Sequence, residues 1–523
     1  MKPHSLDSKL FRHSFNFFDS GINLTALLSE NNRFKDFSSK GAEVFLDYSR
    51  QLIDSKGFEL LIELAKTKKI AEKFKSMAEG EIVNKTEKRP ALHTLCRAEK
   101  SNHPLFKEII RVKTQIKEFS NKIHRGEILS STGKKFENIC VIGIGGSNLG
   151  TEFVVKALSY KKQNLNPFFI ASCDPCEIES VKSSIDFETT LFVIISKSYT
   201  TREVMINEDL INYELKQLNL NPKEHIVRVT SKNSPGDLSE FEVFHMFDSI
   251  GGRYSVSSAV GGLPISLVYG FDVFEEFLKG MNQMDEHCLN SDLKDNLALI
   301  SALIDIWNFV YLDFSVLGII PYSFQLEKLP AHVQQLYMES NGKSLSEDNE
   351  SLNHNTSMVI FGDTGTKSQH SFFQLFHQGR TIPLEFIGVL SPPCKNFHKY
   401  ENILNNDELF ANLLAQADAL AFGRNSDEPE KICKGNRPSS ILTINDLSPL
   451  TIGKLVSFYE ARTVMAGFLW EINPFDQFGV ETGKILANEK RNTIKNALNN
   501  NIFPEKTQRD NYYMKALSKR KNL

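Results

Sequence analysis

The strongest constraint on this chain is a rhythm. From about residue 135, short apolar runs rich in β-branched side chains recur, each followed by a turn of small residues and then a helically patterned stretch. The runs at 139–144, 167–171, 191–195 and 226–229 are continuous rather than alternating. A strand apolar on both faces must be covered on both faces, as in a parallel sheet enclosed by helices. The succession of strand and helix is the matching βαβ connectivity. After a glycine-rich segment around Gly261 the rhythm restarts at 316–320, 358–361, 384–390 and 441–444. Two successive α/β units are expected, with a boundary near 270, as from a duplication too diverged to show by eye. Upstream, Val44, Leu46, Tyr48, Leu52 and Ile53 give an apolar face near helical spacing, so the N-terminal region reads mainly as helix. Beyond about Asn473 the chain is polar and Lys-rich and reads as helices wrapping the body. The expected division is a helical 1–109, α/β units over 110–270 and 271–472, and a helical arm over 473–523.

Composition excludes several classes. The 523 residues are 41% hydrophobic and 24% charged, which rules out disorder, collagen and coiled coil. Lys and Arg number 61 against 64 Asp and Glu, so the basic excess of a nucleic-acid or anionic-membrane binder is missing. Any anion must be met by a local arrangement of charge. Seven Cys, an odd and scattered set, point to a reducing compartment rather than a disulfide framework. The N-terminus lacks a basic region leading into an apolar run, so no secretory signal is expected. The most apolar stretch, 297–324, is interrupted by Asp305 and Asp313 and broken by Pro321, and reads as a core helix running into a strand.

Several turns carry residues fit for chemistry. Val141-Ile-Gly-Ile-Gly-Gly-Ser-Asn-Leu-Gly150 follows one strand run and precedes a helix. Glycines such as Gly146 let backbone N–H groups approach an anion at a helix start. Asn148 stands where a dinucleotide fingerprint has its third glycine, and Ser147 suits one phosphate better than a pyrophosphate. Ser196-Lys197-Ser198-Tyr199-Thr200-Thr201 gathers hydroxyls and an ammonium at the carboxyl end of another strand, where open α/β sheets bind ligands. Each has a plainer reading, a tight turn or a helix cap, but two such turns in one sheet favour phosphate binding. In Asp248-Ser-Ile-Gly-Gly-Arg-Tyr-Ser255 the paired glycines allow close approach beside Arg253, otherwise a surface cation. Glu339, in Gln334-Gln-Leu-Tyr-Met-Glu-Ser-Asn-Gly342, has apolar and amide neighbours, where desolvation raises a carboxyl pKa toward that of a general base, although most Glu side chains are merely solvated. His370 in an early helix serves either a cleft or the core, and Lys484 is by default a helix-surface cation. Cys173-Asp-Pro-Cys176 has the spacing of a redox pair, but no second pair supplies the remaining metal ligands.

Together these segments closely resemble the glucose-6-phosphate isomerase (phosphoglucose isomerase) family. Asp248 to Gly261 resembles its first signature, and Gly467-Phe-Leu-Trp-Glu-Ile-Asn-Pro-Phe-Asp-Gln-Phe-Gly-Val-Glu-Thr-Gly-Lys484 its second. Leu46-Asp-Tyr-Ser49, Leu92-His-Thr94, the glycine turn, the Ser-Lys cradle, Met338-Glu-Ser-Asn-Gly-Lys343, Gln369-His370 and Gly435-Asn-Arg-Pro-Ser439 match in family order. The resemblance implies two sugar-isomerase (SIS) type parallel-sheet α/β domains with a helical N-terminal part and a C-terminal helical arm. It implies a homodimer that interconverts glucose 6-phosphate and fructose 6-phosphate in glycolysis and gluconeogenesis, in the cytoplasm. By position, Gly146, Ser147, Ser196, Lys197, Ser198, Thr200 and Thr201 match phosphate-binding segments, and Gln335 and Gln477 substrate contacts. Glu339 matches the base, Arg253 the cation near the enediolate, and His370 and Lys484 the ring-opening groups, with that His supplied across the dimer. Ser198 replaces a common Thr and Phe478 a common Trp, without removing a group the mechanism needs. The implied chemistry needs no metal or organic cofactor, and no nucleic-acid or membrane partner. Alternatives are a related phosphosugar isomerase, a phosphosugar-sensing module, which would be expected to lose Glu339, His370 or Lys484, and a nicotinamide oxidoreductase, disfavoured by Asn148.

Overall fold

The computed structural model describes residues 5–394, 397–500 and 508–519. It divides into two units, Met1–Phe475 and Asp476–Leu523. Where a helix was expected near the N-terminus there is an antiparallel hairpin, β1 (Ser38–Gly41) and β2 (Val44–Asp47). Val44, Leu46 and Tyr48 are buried with a period of two, which is a strand period, and Ala42 and Glu43 turn the chain at positive φ.

The first parallel sheet consists of β3 (Asn138–Ile142), β4 (Asn166–Ile170), β5 (Thr190–Ile195), β6 (Ile226–Ser231) and β7 (Glu242–Met246). Their spatial order is β4-β3-β5-β6-β7. The second comprises β8 (Val316–Pro321), β9 (Val359–Phe361), β10 (Leu384–Val389) and β11 (Ser439–Ile444), with the hairpin added at one edge in the order β1-β2-β11-β10-β8-β9. β2 runs antiparallel to β11, placing Leu46 opposite Leu442. In both sheets the second strand lies on one side of the first and all later parallel strands on the other. That shared order is what a duplicated unit would show. It also gives each sheet a switch point, where adjacent strands send their connections in opposite directions and a crevice opens at their carboxyl ends. In the first sheet the switch lies between β3 and β5.

Helices cover the sheets. α1 (Leu105–Arg125) buries Ile109, Val112, Ile116, Phe119 and Ile123, a stripe at helical spacing. α2 (Leu149–Ala157) follows β3 and α3 (Arg202–Gln217) follows β5. α4 (Ala259–Tyr269) is buried around its circumference. α5 (Phe271–Asn290) comes next, then α6 (Leu297–Ile306), buried throughout and continuing through a widened π-type turn, Trp307–Tyr311, toward β8. The apolar stretch 297–324 is therefore a core helix and a strand, and no described helix is long and apolar enough to cross a membrane. α7 (Leu329–Gln334) leads into a second π-type turn, Gln335–Glu339. The interior helix α8 (Pro449–Leu469) is buried on every side and packs on α5 through glycines. A Cβ on Gly280 would lie 1.8 Å from the Leu450 carbonyl oxygen, so these backbones touch.

The arm beginning at Asp476 contains α9 (Glu481–Asn500) and a further helix, Gln508–Ser518, linked by Lys490 and Asp510 at 2.6 Å.

Candidate active site

Two turns leave the first sheet at its switch point. After β3 the chain makes a tight turn at Gly145–Ser147, with Gly145 at φ +58°, a conformation open to glycine at little cost. A Cβ on Gly146 would stand 2.2 Å from the carbonyl carbon of Gly252 and 2.6 Å from the amide nitrogen of Arg253. The turn is thus pressed against the turn that carries Arg253. The Ser255 hydroxyl donates to the Gly146 carbonyl at 3.3 Å, and a Cβ on Gly145 would meet the Gln335 amide nitrogen at 2.9 Å. Three stretches distant in sequence meet here, and Gly145 and Gly146 leave room for the Arg253 turn and the Gln335 side chain to approach.

The other turn, after β5, is the Ser196–Thr201 cradle. Ser198 and Thr200 are exposed, with their hydroxyls 2.6 Å apart, while Ser196 is buried with its Oγ 3.5 Å from Thr201 Oγ1. Thr201 stands at the N-cap position of α3 without a side-chain capping bond, so the open N–H groups of a long helix begin at the cradle. Tyr199 turns the loop at φ +52°, and its buried ring occupies the space that a Cβ on Gly236 would need. The Tyr199 hydroxyl donates to Glu208 at 2.7 Å, and Arg228 pairs with the same carboxylate at 2.7 Å. Lys197 donates to the carbonyls of Asp248 at 2.8 Å and Ile250 at 3.1 Å, tying the cradle to the Arg253 loop. Burial, reinforced by the charge of Arg89, pulls the Lys197 ammonium down to about 8, against the opposing pull of Asp248.

Glu339 ends the π-type turn. Its Oε2 accepts from Gln335 Nε2 at 3.1 Å and lies 3.4 Å from a terminal nitrogen of Arg253. The carboxylate keeps 24% of its side-chain surface open, whereas the Arg253 side chain keeps 1%. Arg253 is aimed by its other contacts, donating to Ser340 Oγ at 2.6 Å and to the Pro474 carbonyl at 2.8 Å. Tyr254 braces the same hydroxyl at 2.9 Å and stacks on His93 with ring centres 4.7 Å apart. The arrangement is an open carboxylate beside a fixed, buried cation, next to the glycine turn. Such a pair can move a proton on a bound molecule while the cation steadies developing negative charge.

The other expected residues are placed differently. His370 lies exposed at the end of the short helix Gly365–Gln369, after β9. Gln477 and Lys484 belong to the second unit, and both are exposed, Lys484 on α9. Ser340 and Tyr254 were not singled out from sequence, although each adjoins a residue that was. Cys173 and Cys176 are exposed free thiols at the start of the helix Pro175–Lys182, where Asp174 caps the Cys176 N–H at 2.8 Å. Among the described residues no group of three or more His, Cys, Asp or Glu could hold a metal ion.

The sequence model of the family described as phosphoglucose isomerase matches residues 47–509. The chain is 47% identical to a glucose-6-phosphate isomerase of Desulfosudis oleivorans over 477 residues, covering 88% of this chain and 87% of that protein. A cytosolic glucose-6-phosphate isomerase of Zea mays is 39% identical over 504 residues, covering 90% and 88%. The crystal structure of a glucose-6-phosphate isomerase from Chlamydia trachomatis superposes with a TM-score of 0.90 at 35% identity, over 98% of both chains.

Proposed function

The chain belongs to the phosphoglucose isomerase family, and from that premise we propose how its residues divide the work. The reaction is the reversible interconversion of glucose 6-phosphate and fructose 6-phosphate. It exchanges an aldehyde at C1 for a ketone at C2 and so requires one proton to move between adjacent carbons. A single carboxylate can take the proton from one carbon and return it to the other, and Glu339 does this. The enediolate between the two steps carries negative charge on oxygen, and Arg253, buried and held by Ser340 and Pro474, neutralises it without having to reorganise. The turns at Gly146 and Ser147, and at Ser196, Lys197, Ser198, Thr200 and Thr201, hold the phosphate, while Gln335 orients Glu339 and meets the sugar.

The ring-opening roles of His370 and Lys484, and a substrate contact by Gln477, rest on the family segments in which they stand. The exposure of His370 in one subunit supports its delivery to a second copy in a homodimer. The reaction proceeds without metal or organic cofactor. Location in the cytoplasm is supported by the relatives described as cytosolic.

The observation that carries the assignment of the base is the open Glu339 carboxylate 3.4 Å from the enclosed Arg253. Glu339→Gln keeps the shape and the hydrogen bonding but removes the base. Turnover of fructose 6-phosphate should fall by about 10²–10⁴-fold, while sorbitol 6-phosphate, which has the phosphate and chain but no carbonyl, still binds. Wild-type turnover by that variant would remove Glu339 from its role.

A further inference from the structure

The π-type turn that presents Glu339 has a second anchored residue. Tyr337 lies in the same turn and is buried, and its hydroxyl donates to Asp305 Oδ2 at 3.0 Å. Asp305, on α6, is gripped on both oxygens by Arg462 of α8, at 2.8 Å from Nε and 2.6 Å from a terminal nitrogen. The remaining fork of Arg462 reaches Glu385 of β10 at 2.7 Å, and Tyr459 donates to the other oxygen of Glu385 at 2.6 Å. All these side chains are enclosed in the interior of the first unit. Burial, with the charge of Asp305 adding to it, holds the Tyr337 phenol well above its ordinary range, so it stays a donor.

Such a turn holds one more residue than an α-helical turn, a minority geometry concentrated at functional sites. Rewinding it to an ordinary helix would rotate whatever follows by about 100° and carry Glu339 away from Arg253. Two attachments oppose this. One is Ser340, held from the cleft side by Arg253 and Tyr254. The other is Tyr337, held from the interior.

We propose that Tyr337 is a positioning residue for the base: its hydroxyl, through Asp305 and Arg462, ties the π-type turn to α6 and α8 and so keeps Glu339 beside Arg253. The inference rests on Glu339 being the base. Tyr337 acts through the turn and not on the substrate, so removing its hydroxyl should slow chemistry without weakening binding.

Tyr337→Phe removes one oxygen and keeps every carbon, and Asp305 retains both contacts from Arg462. Tyr459→Phe is the control, since it deletes a comparable buried hydroxyl from the same ionic cluster but from the side away from the turn. The full chain is assayed for kcat and KM with fructose 6-phosphate, and for inhibition by sorbitol 6-phosphate, at a temperature where circular dichroism shows both variants folded. Tyr337→Phe should lower kcat by about 10- to 100-fold, with KM and inhibition changed by less than about twofold. Tyr459→Phe should keep the wild-type kcat even if it melts lower. A normal kcat in Tyr337→Phe, an equal loss in both variants, or a change confined to KM overturns the proposal. Glu339→Gln in the same series separates the two claims. If it is inactive while Tyr337→Phe is normal, the tether fails and the base stands; if it is active, the base assignment itself fails.

Discussion

Replacing Gly146 by alanine adds one methyl group where the structure has no room for it. The new Cβ would lie 2.2 Å from the Gly252 carbonyl carbon, 2.5 Å from its oxygen and 2.6 Å from the Arg253 nitrogen. Carbon atoms in contact normally stand about 3.5 Å apart, so the two turns must separate by about 1.3 Å. Every obstructing atom is backbone, and no side chain can rotate aside. Gly146 is not among the glycines at positive φ, so the penalty is steric rather than conformational. Overpacking of this kind costs about 1–3 kcal/mol. Misplacing Arg253 relative to the Gly145–Ser147 turn by about 1 Å should also cost on the order of 10²-fold in kcat/KM. Gly252→Ala tests the same contact from the other side. Its Cβ would meet Gly146 Cα at 3.8 Å, an ordinary separation, so stability should change by less than about 0.5 kcal/mol. Urea denaturation and an assay coupling glucose 6-phosphate formation to a dehydrogenase read both quantities. Equal stability of the two variants, or near wild-type kcat/KM in Gly146→Ala, would refute the claim that this backbone contact sets the geometry of the cleft.

Other consequences follow from the charges. With its pKa drawn down to about 8, Lys197 loses its charge in the folded protein as pH rises through that value, whereas an ordinary lysine holds it to 10.5. The KM for fructose 6-phosphate should therefore rise above about pH 8 in the wild type, and a Lys197→Met variant should show a raised KM without that inflection. Between those two values the unfolded chain binds more protons than the folded one at this site, so Lys197 makes stability increase with pH there; the increment should vanish in the variant's urea titrations. Arg97 is enclosed between Asp285, 2.8 Å from one of its nitrogens, and Glu460. Arg97→Met strands two buried carboxylates and should lower stability by about 3–5 kcal/mol, measured from denaturation midpoints, and a loss of less than about 1 kcal/mol would show the cluster to be solvated.

The strands buried on both faces were legible because a continuous apolar run has few other uses, and the observed β3, β5, β8 and β10 begin and end within a residue or two of those runs. Of the strands with no such run, β7 and β2 escape for different reasons. β7 is an edge strand with Glu242 exposed and with half-buried Val243 and His245 interleaved with buried Phe244 and Met246, so it gives no continuous run. β2 pairs with β11 from the far end of the chain, and its period of two was blurred by the apolar residues Leu52 and Ile53 that follow it. At the candidate site, Glu339 and Arg253 are proposed from the segments that resemble the family, and the fold brings them within 3.4 Å of each other. What sequence could not give is how they are held. Ser340 follows Glu339 and Tyr337 stands two residues before it, but only the fold brings Arg253 to the first and Asp305 to the second. The sequence offers Gly146 as a place for an anion to approach, and the structure makes it the point where two backbones meet. The near balance of 61 basic and 64 acidic residues says nothing for or against the proposed phosphate cleft, because a handful of charges placed together is invisible in a sum.

The proposed reaction has one carboxylate, Glu339, carry a proton between C2 and C1. It is tested most directly with glucose 6-phosphate deuterated at C2, converted by the purified protein in ordinary water and read by NMR at C1 of fructose 6-phosphate. A single base that meets solvent between its two steps predicts that part of the label arrives at C1 and part is lost to water, and that Glu339→Gln produces neither. Complete transfer without any loss, as in a direct hydride shift, or isomerisation by Glu339→Gln at the wild-type rate, would contradict it.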